Sequence, residues 1–409
     1  MNDLSSQRQK LSRRRFLTGA AAAVPGLALL GHNSLIEKAF AASQAGQNND
    51  SFIFPLLGDL HFDRLEHHDM AWMEKEYPND IRQVQNYSRI TAEVLPLLMK
   101  TVQGSIQQYR QAGRTVPFVV QLGDFVEGVC GSRELDTKHK NDAIAFVREQ
   151  QFAVPFLFCK GNHDVTGPGS KETYNEIFLP FLTGEINRLH QQTQAAPVAA
   201  LNRACFAVRY NNALLAFFDA YNHPDSLEWL EATLAANTAQ HVFVMIHPPV
   251  TPYGARTTWH LYAREREAAE RTRLLELLGK HNAIVLTGHL HKYNLMTRRT
   301  SSGRFLQLAV NSVVSRPEGN VDDILEGVAS YTPDQIRVEP RFSPNNEDVR
   351  RANLSAETPF VDYFEYASAP GYAEIEVRGE QVLMRHYKGA TRELWKTRDL
   401  SAILKGQPV

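Results

Sequence analysis

Apolar residues fall into two recurring patterns along the chain. Short, mostly apolar runs at 52–57, 116–122, 154–159, 241–246, 283–287 and 305–310 are too brief for helices and predict strands. Between them lie longer stretches with apolar residues at helical spacing. The longest spans 84–110, where Ile90, Val94, Leu98, Val102 and Ile106 recur every four residues and Pro96 predicts a kink. Helices are also expected at 143–152, from Ser226 onward, and at 263–280. Runs 206–210 and 213–218 flank Asn211-Asn212 and predict a tight hairpin. A second hairpin is expected near the end, where Ala373, Ile375 and Val377 alternate with glutamates before an apolar return at 382–387. The stretch 316–370, rich in Pro, Asn, Asp and Glu, shows little periodicity and predicts a loop-rich excursion. Strands alternating with helices imply an α/β architecture with some antiparallel pairing, read as one domain over 52–409.

The chemistry sits where the predicted strands stop. Gly58-Asp59-Leu60-His61 follows the first, and Gly123-Asp124 the second. Gly161-Asn162-His163-Asp164 follows the third, His247 the run at 241–246, and Gly288-His289-Leu290-His291 the run at 283–287. In open α/β sheets, sites form at the carboxyl ends of strands, so loops from neighbouring strands share one edge. The oxygen and nitrogen donors gathered there suit Mn, Fe or Zn. In an extended segment residues i and i+2 face one side, so Asp59/His61 and His289/His291 are each expected to present a pair of ligands.

Each element alone is weak. Gly-Asp after a strand is usually a turn, and a strand-end His is more often satisfied by backbone than by metal. Five such elements at five strand ends are far more specific.

In order and spacing, the series D-x-H, G-D, G-N-H-D, H and G-H-x-H over 58–291 resembles the calcineurin-like metallophosphoesterases. The resemblance implies a four-layer αββα sandwich, two mixed sheets flanked by helices, carrying two divalent or mixed-valence metal ions. By motif matching, Asp59, His61 and His291 would bind the first metal and Asn162, His247 and His289 the second, with Asp124 bridging. A hydroxide activated by both metals would attack phosphorus. His163 would be no ligand but would assist the leaving oxygen, oriented by Asp164. The purple acid phosphatase branch carries Tyr three residues after the bridging Asp. This chain has Glu127 there, which argues against a ferric–tyrosinate centre and leaves Glu127 as a brace behind the ligands or a surface residue.

Around the motifs, Arg256 is a candidate phosphate contact, and Tyr253, Trp259 and His260 share its loop; a plain surface loop is the alternative. His67-His68-Asp69 is expected to be a solvated loop in preference to a pocket wall. Asp63 and Asp219 also lie at strand ends, and Asp219 is expected to be structural or to support the site rather than to catalyse. The expected function is phosphoric ester hydrolysis, with diesters such as cyclic nucleotides as an alternative and a non-catalytic binding scaffold as a second one. By that resemblance the motifs would grip a phosphoryl group and ignore what hangs from it.

The first 41 residues change where this chemistry takes place. Ser-Arg-Arg-Arg-Phe-Leu at 12–17, a modest apolar stretch at 20–31 and Ala39-Phe40-Ala41 resemble a twin-arginine export signal with its cleavage site, followed by a linker at 42–51. The apolar stretch is well short of the roughly 20 residues of a spanning helix, so no membrane anchor is expected after cleavage. The expected location is the periplasm or outside the cell, with the twin-arginine machinery as a transient partner. Cleavage after Ala41 leaves 368 of 409 residues and removes six Lys/Arg and two Asp/Glu, taking the net charge from −1 to about −5. That mild acidity gives no expectation of nucleic-acid binding. The three cysteines, Cys130, Cys159 and Cys205, cannot all pair within one chain, and no disulfide scaffold is expected.

Overall fold

The computed structural model describes residues 51–193, 198–221, 225–254, 260–335 and 347–407. The signal reading at 1–41, and the linker reading apart from Ser51, lie outside those residues.

Chain order gives β1 (Phe52–Leu57), β2 (Val119–Gln121), β3 (Phe156–Phe158), β4 (Phe206–Tyr210), β5 (Ala213–Phe218), β6 (His241–Ile246) and β7 (Ile284–Thr287). There follow β8 (Tyr293–Arg299), β9 (Arg304–Ala309), β10 (Asp322–Glu326), β11 (Val361–Ser368), β12 (Gly371–Arg378), β13 (Gln381–Lys388) and β14 (Leu394–Asp399). One sheet has the order β14-β13-β12-β1-β2-β3 and the other β10-β11-β8-β9-β7-β6-β5-β4. Both are mixed. β1, β2 and β3 run parallel in the first sheet, and β5, β6, β7 and β9 in the second, while the flanking strands pair antiparallel.

Strand alternation decides which core each residue enters. On β5, β6 and β7, Leu215, Phe217, Phe243, Met245, Ile284 and Leu286 join the core that also holds Phe54 and Leu56 of β1. Their neighbours Leu214, Ala216, Phe218, Val242, Val244, Ile246 and Val285 face the other way. There they pack with Leu227, Leu230 and Leu234 of the helix Asp225–Ala235 and Leu274 and Leu278 of the helix Ala268–Lys280. Phe54 links the sheets, its ring centroid 5.5 Å from Phe118 and 5.7 Å from Phe243. Two mixed sheets flanked by helices, as expected, are therefore the consequence of period-two burial on the central strands.

Several expectations need correction. The stretch 84–110 is two helices, Ile81–Glu93 and Leu95–Gln111, not one kinked helix. Pro96 lies in the first turn of the second, where a missing N–H costs nothing. The short helix at 143–152 is longer and earlier, Arg133–Glu149, because Ser132 caps it by accepting from the Leu135 N–H. The excursion at 316–370 carries β10, the helix Glu347–Glu357 and β11, which lies within the second sheet between β8 and β10. All three cysteines are free and buried. Among the described residues no helix is long and apolar enough to cross a membrane.

Candidate metal centre

The loops after β1, β2, β3, β6 and β7 meet at one edge, as parallel strands of two facing sheets allow. Their donors form clusters joined through Asp124. Ligand atoms of Asp59, His61 and His291 lie within 4.8 Å of one another, as do those of Asp124, His247 and His289. His291 Nε2 is 2.9 Å from both Asp59 Oδ2 and His61 Nε2. On the other side His247 Nε2 is 3.1 Å from Asp124 Oδ2 and 3.1 Å from Asn162 Oδ1. Asp124 Oδ2 also lies 3.8 Å from His61 Nε2, so one carboxylate faces both clusters. All seven residues matched as ligands are brought together.

The route by which they converge differs from the extended geometry expected. His61, Asp124, His289 and His291 have φ of 43°, 52°, 73° and 53°. Left-handed backbone at non-glycine residues costs of order 1–3 kcal/mol each and persists where the surroundings over-determine it. The paired ligands share a side because the chain bends, not because it is extended. Two glycines make room. A Cβ on Gly161 would stand 2.1 Å from Asp124 Oδ1, and one on Gly288 2.1 Å from Asp59 Oδ1. Gly161 therefore serves close approach.

Outer contacts fix which nitrogen each imidazole turns inward. His247 Nδ1 donates to the Leu122 carbonyl at 2.8 Å, leaving Nε2 for the centre. His61 Nδ1 lies 2.5 Å from Glu127 Oε2, and Gln83 holds the other Glu127 oxygen at 2.9 Å. Glu127 is thus a brace behind a ligand, not a surface residue. The His289 backbone N–H donates to Asp59 Oδ2 at 2.8 Å, which positions the residue rather than its ring nitrogens.

Charge supports the same arrangement. Burial works to raise Asp124, but His247, His163 and His61 outweigh it and hold the carboxyl well below its ordinary range, so it stays anionic. Burial and the neighbouring His247 push His289 down to about 3, keeping it in the neutral form that ligates metal. Facing imidazole nitrogens such as His61 and His291 share at most one proton, whereas a cation between them uses both lone pairs. The donors present therefore fit two cations, and the N/O set suits Mn, Fe or Zn alike.

His163 stands beside the ligands. Its N–H donates to Asp124 Oδ1 at 2.8 Å and its Nδ1 to the Glu127 carbonyl at 2.7 Å. Burial works to lower its pKa, but the Glu127 and Asp124 charges raise it to about 9. The expected orienting role of Asp164 is not what the structure places there. Asp164 instead accepts from the Gly161 and Val126 N–H groups at 2.8 and 3.1 Å, pinning the loop rather than the imidazole.

The sequence match that decides the family covers residues 54–293, more than half the chain and every one of these ligands, and is to the calcineurin-like phosphoesterases. The chain belongs to the calcineurin-like phosphoesterase family. The family is named for the hydrolysis of phosphoric esters. Solved structures with a similar fold include a purple acid phosphatase from yellow lupin (Lupinus luteus) seeds, 13% identical, TM-score 0.48, matched over 87% of this chain and 54% of that one. A dimetal phosphatase from Danio rerio is 15% identical, TM-score 0.46, matched over 85% of this chain and 98% of that one. The chain spans about half the length of the lupin protein. None of the curated proteins matches it.

The remaining candidates sort clearly. Arg256 and Trp259 lie outside the described residues. Tyr253 is buried in a core cluster with Leu290 and Tyr331, unavailable for stacking on a substrate. His67 and His68 are buried rather than solvated; His68 Nε2 lies 2.6 Å from Asp63 Oδ1, and Asp69 caps the helix Met70–Glu76. Asp63 supports its neighbours, accepting also from Ser88. Asp219 pairs with Lys160 at 2.5 Å. Glu127, Gln83, the Leu122 carbonyl and Lys160 lie outside the five motifs and act through contacts that only the fold creates.

Replacing Glu127 tests the brace. Glu127→Gln keeps the shape but removes the charge facing His61, and metal affinity at the Asp59–His61–His291 cluster should fall roughly 10- to 100-fold. Chelator competition reads it, and unchanged affinity would remove Glu127 from the support of His61.

Proposed function

We propose that this chain is an exported metal-dependent phosphoesterase working at the two clusters that share Asp124, with His163 assisting the leaving group. The single observation that carries the reading is that one carboxylate faces both ligand sets. Asp59, His61 and His291 would hold one ion, Asn162, His247 and His289 the other, and Asp124 both. Two ions so held supply a nucleophile from water at neutral pH and offset charge on phosphoryl oxygens. The protein's own part is positioning. The outer contacts of His61 and His247 hold the ligating nitrogens inward, and Asp164 anchors the loop that carries Asn162 and His163. His163 has its Nδ1 engaged by the Glu127 carbonyl, which leaves Nε2 for an incoming ester. Its side chain is 23% exposed where Asp124 is 1%, so of these two it is the one a substrate can reach. An imidazole so placed can pass a proton to the departing oxygen.

Monoesters are the first expectation, with diesters including cyclic nucleotides as the alternative. Metal-defined protein assayed on a monoester, a diester and a cyclic-nucleotide panel separates them, and no turnover on any of the three would sink the hydrolase reading. Export rests on the residues at 12–41. Exchanging Arg13 and Arg14 for lysine should strand the protein in the cytoplasm on fractionation, and continued export would refute twin-arginine dependence. No nucleic-acid partner or lasting membrane anchor is proposed.

A further inference from the structure

β5 ends level with β6 but gives the centre no ligand. Phe218 pairs in register with Ile246, and the next residues are Asp219 and His247. The end of β5 therefore opens on the same edge as the ligand-bearing loops. Asp219 is fully buried and committed: Oδ2 holds Lys160 Nζ at 2.5 Å, and Oδ1 accepts from the Tyr221 N–H at 3.0 Å. Lys160 directly precedes Gly161-Asn162, so this ion pair ties the end of β5 to the loop that carries His163.

What the tied segment presents is Tyr221. The residue is 39% exposed, while its hydroxyl stands 3.4 Å from Asn162 Oδ1. At that length the contact is at the weak end of hydrogen bonding, and Asn162 is the residue assigned above to the second ion, which would draw its oxygen away from the phenol. The phenol can therefore exchange this neutral acceptor for a charged one, and a charged acceptor makes the stronger bond. A phosphoryl group at the two clusters would bring charged oxygens alongside Asn162.

We propose that Tyr221 is a substrate-binding residue whose hydroxyl donates to a non-bridging phosphoryl oxygen. The inference rests on the reading of the centre as a phosphoryl site. It commits a residue outside all five motifs, on a strand end without a ligand, to recognition of the phosphate rather than of the group attached to it. The contribution is therefore expected for monoesters and diesters alike.

The test is titration of inorganic phosphate into metal-loaded, desalted protein, with metal content measured on the same samples. Tyr221→Phe keeps the ring and removes only the donor. It should weaken phosphate binding roughly tenfold or more, the scale of one hydrogen bond to a charged group, and retain two metals per chain. Unchanged phosphate affinity would overturn the proposal. Loss of metal in the variant would overturn it too, since the phenol would then act by holding Asn162. Wild type that binds phosphate through Tyr221 but turns over no ester refutes the hydrolase reading and leaves this one standing. Wild type that hydrolyses esters, with Tyr221→Phe binding phosphate normally, does the reverse.

Discussion

Asp124→Ala should strip the protein of metal at both clusters and reduce ester turnover by about a thousandfold or more. Asp124 contributes to both ligand sets at once, 3.1 Å from His247 Nε2 and 3.8 Å from His61 Nε2. Its removal leaves each set a ligand short and leaves two cations, if bound, with no shared anion between them. Metal ions supply several kcal/mol of transition-state stabilisation, and each 1.4 kcal/mol or so is tenfold in rate, which sets the expected loss. Asp124 Oδ1 also accepts from the His163 N–H, so the same change loosens the loop that presents the proposed acid. Metal analysis and steady-state kinetics on one preparation give the answer. Full occupancy of both sites in Asp124→Ala would refute a shared carboxylate.

His163→Ala should separate chemistry from metal binding. Its Nδ1 is engaged by the Glu127 carbonyl and its backbone by Asp124; its ligand atom lies within 4.8 Å of those of His61 and Asp124, but neither proposed ligand set includes it. Turnover should fall roughly 10²- to 10⁴-fold, the usual range for loss of a general acid, with two metals still bound. The deficit should shrink for esters with acidic leaving groups such as p-nitrophenol, which need little help from a proton, and grow for alkyl esters. Loss of both metals would make His163 a ligand, and an equal deficit on both ester types would remove it from the leaving-group step.

Much of this was legible because the physics is local. β5 and β6 are runs whose alternate residues feed two different cores, and their boundaries matched the expectation residue for residue. The ligands were legible because metal chemistry restricts residue types and strand ends restrict positions. Other features are set by partners far away in sequence. Leu122 and His247 are 125 residues apart, and the carbonyl that fixes the imidazole carries no side-chain signal at all. His163 resembled a residue oriented by the adjacent Asp164, yet the orienting group is the Glu127 backbone, 36 residues upstream. β11 was hidden in a polar stretch because Glu365 on it is satisfied by Tyr293, Tyr363, Lys396 and Arg398, which lets a charged residue lie buried in a sheet. The bends at His61, Asp124, His289 and His291 were not read because His and Asp, though enriched in left-handed backbone, adopt it at only a minority of their positions.

Two metal ions, held on either side of Asp124, are proposed to make this protein hydrolyse phosphoric esters. Stepwise addition of Mn²⁺ or Zn²⁺ to metal-free protein, with bound metal and ester hydrolysis followed together, tests it most directly. Binding that saturates at two ions per chain, with turnover appearing in step with the doubly loaded form, is the predicted result. Full turnover in the presence of chelator, or binding that saturates at a single ion, would contradict it.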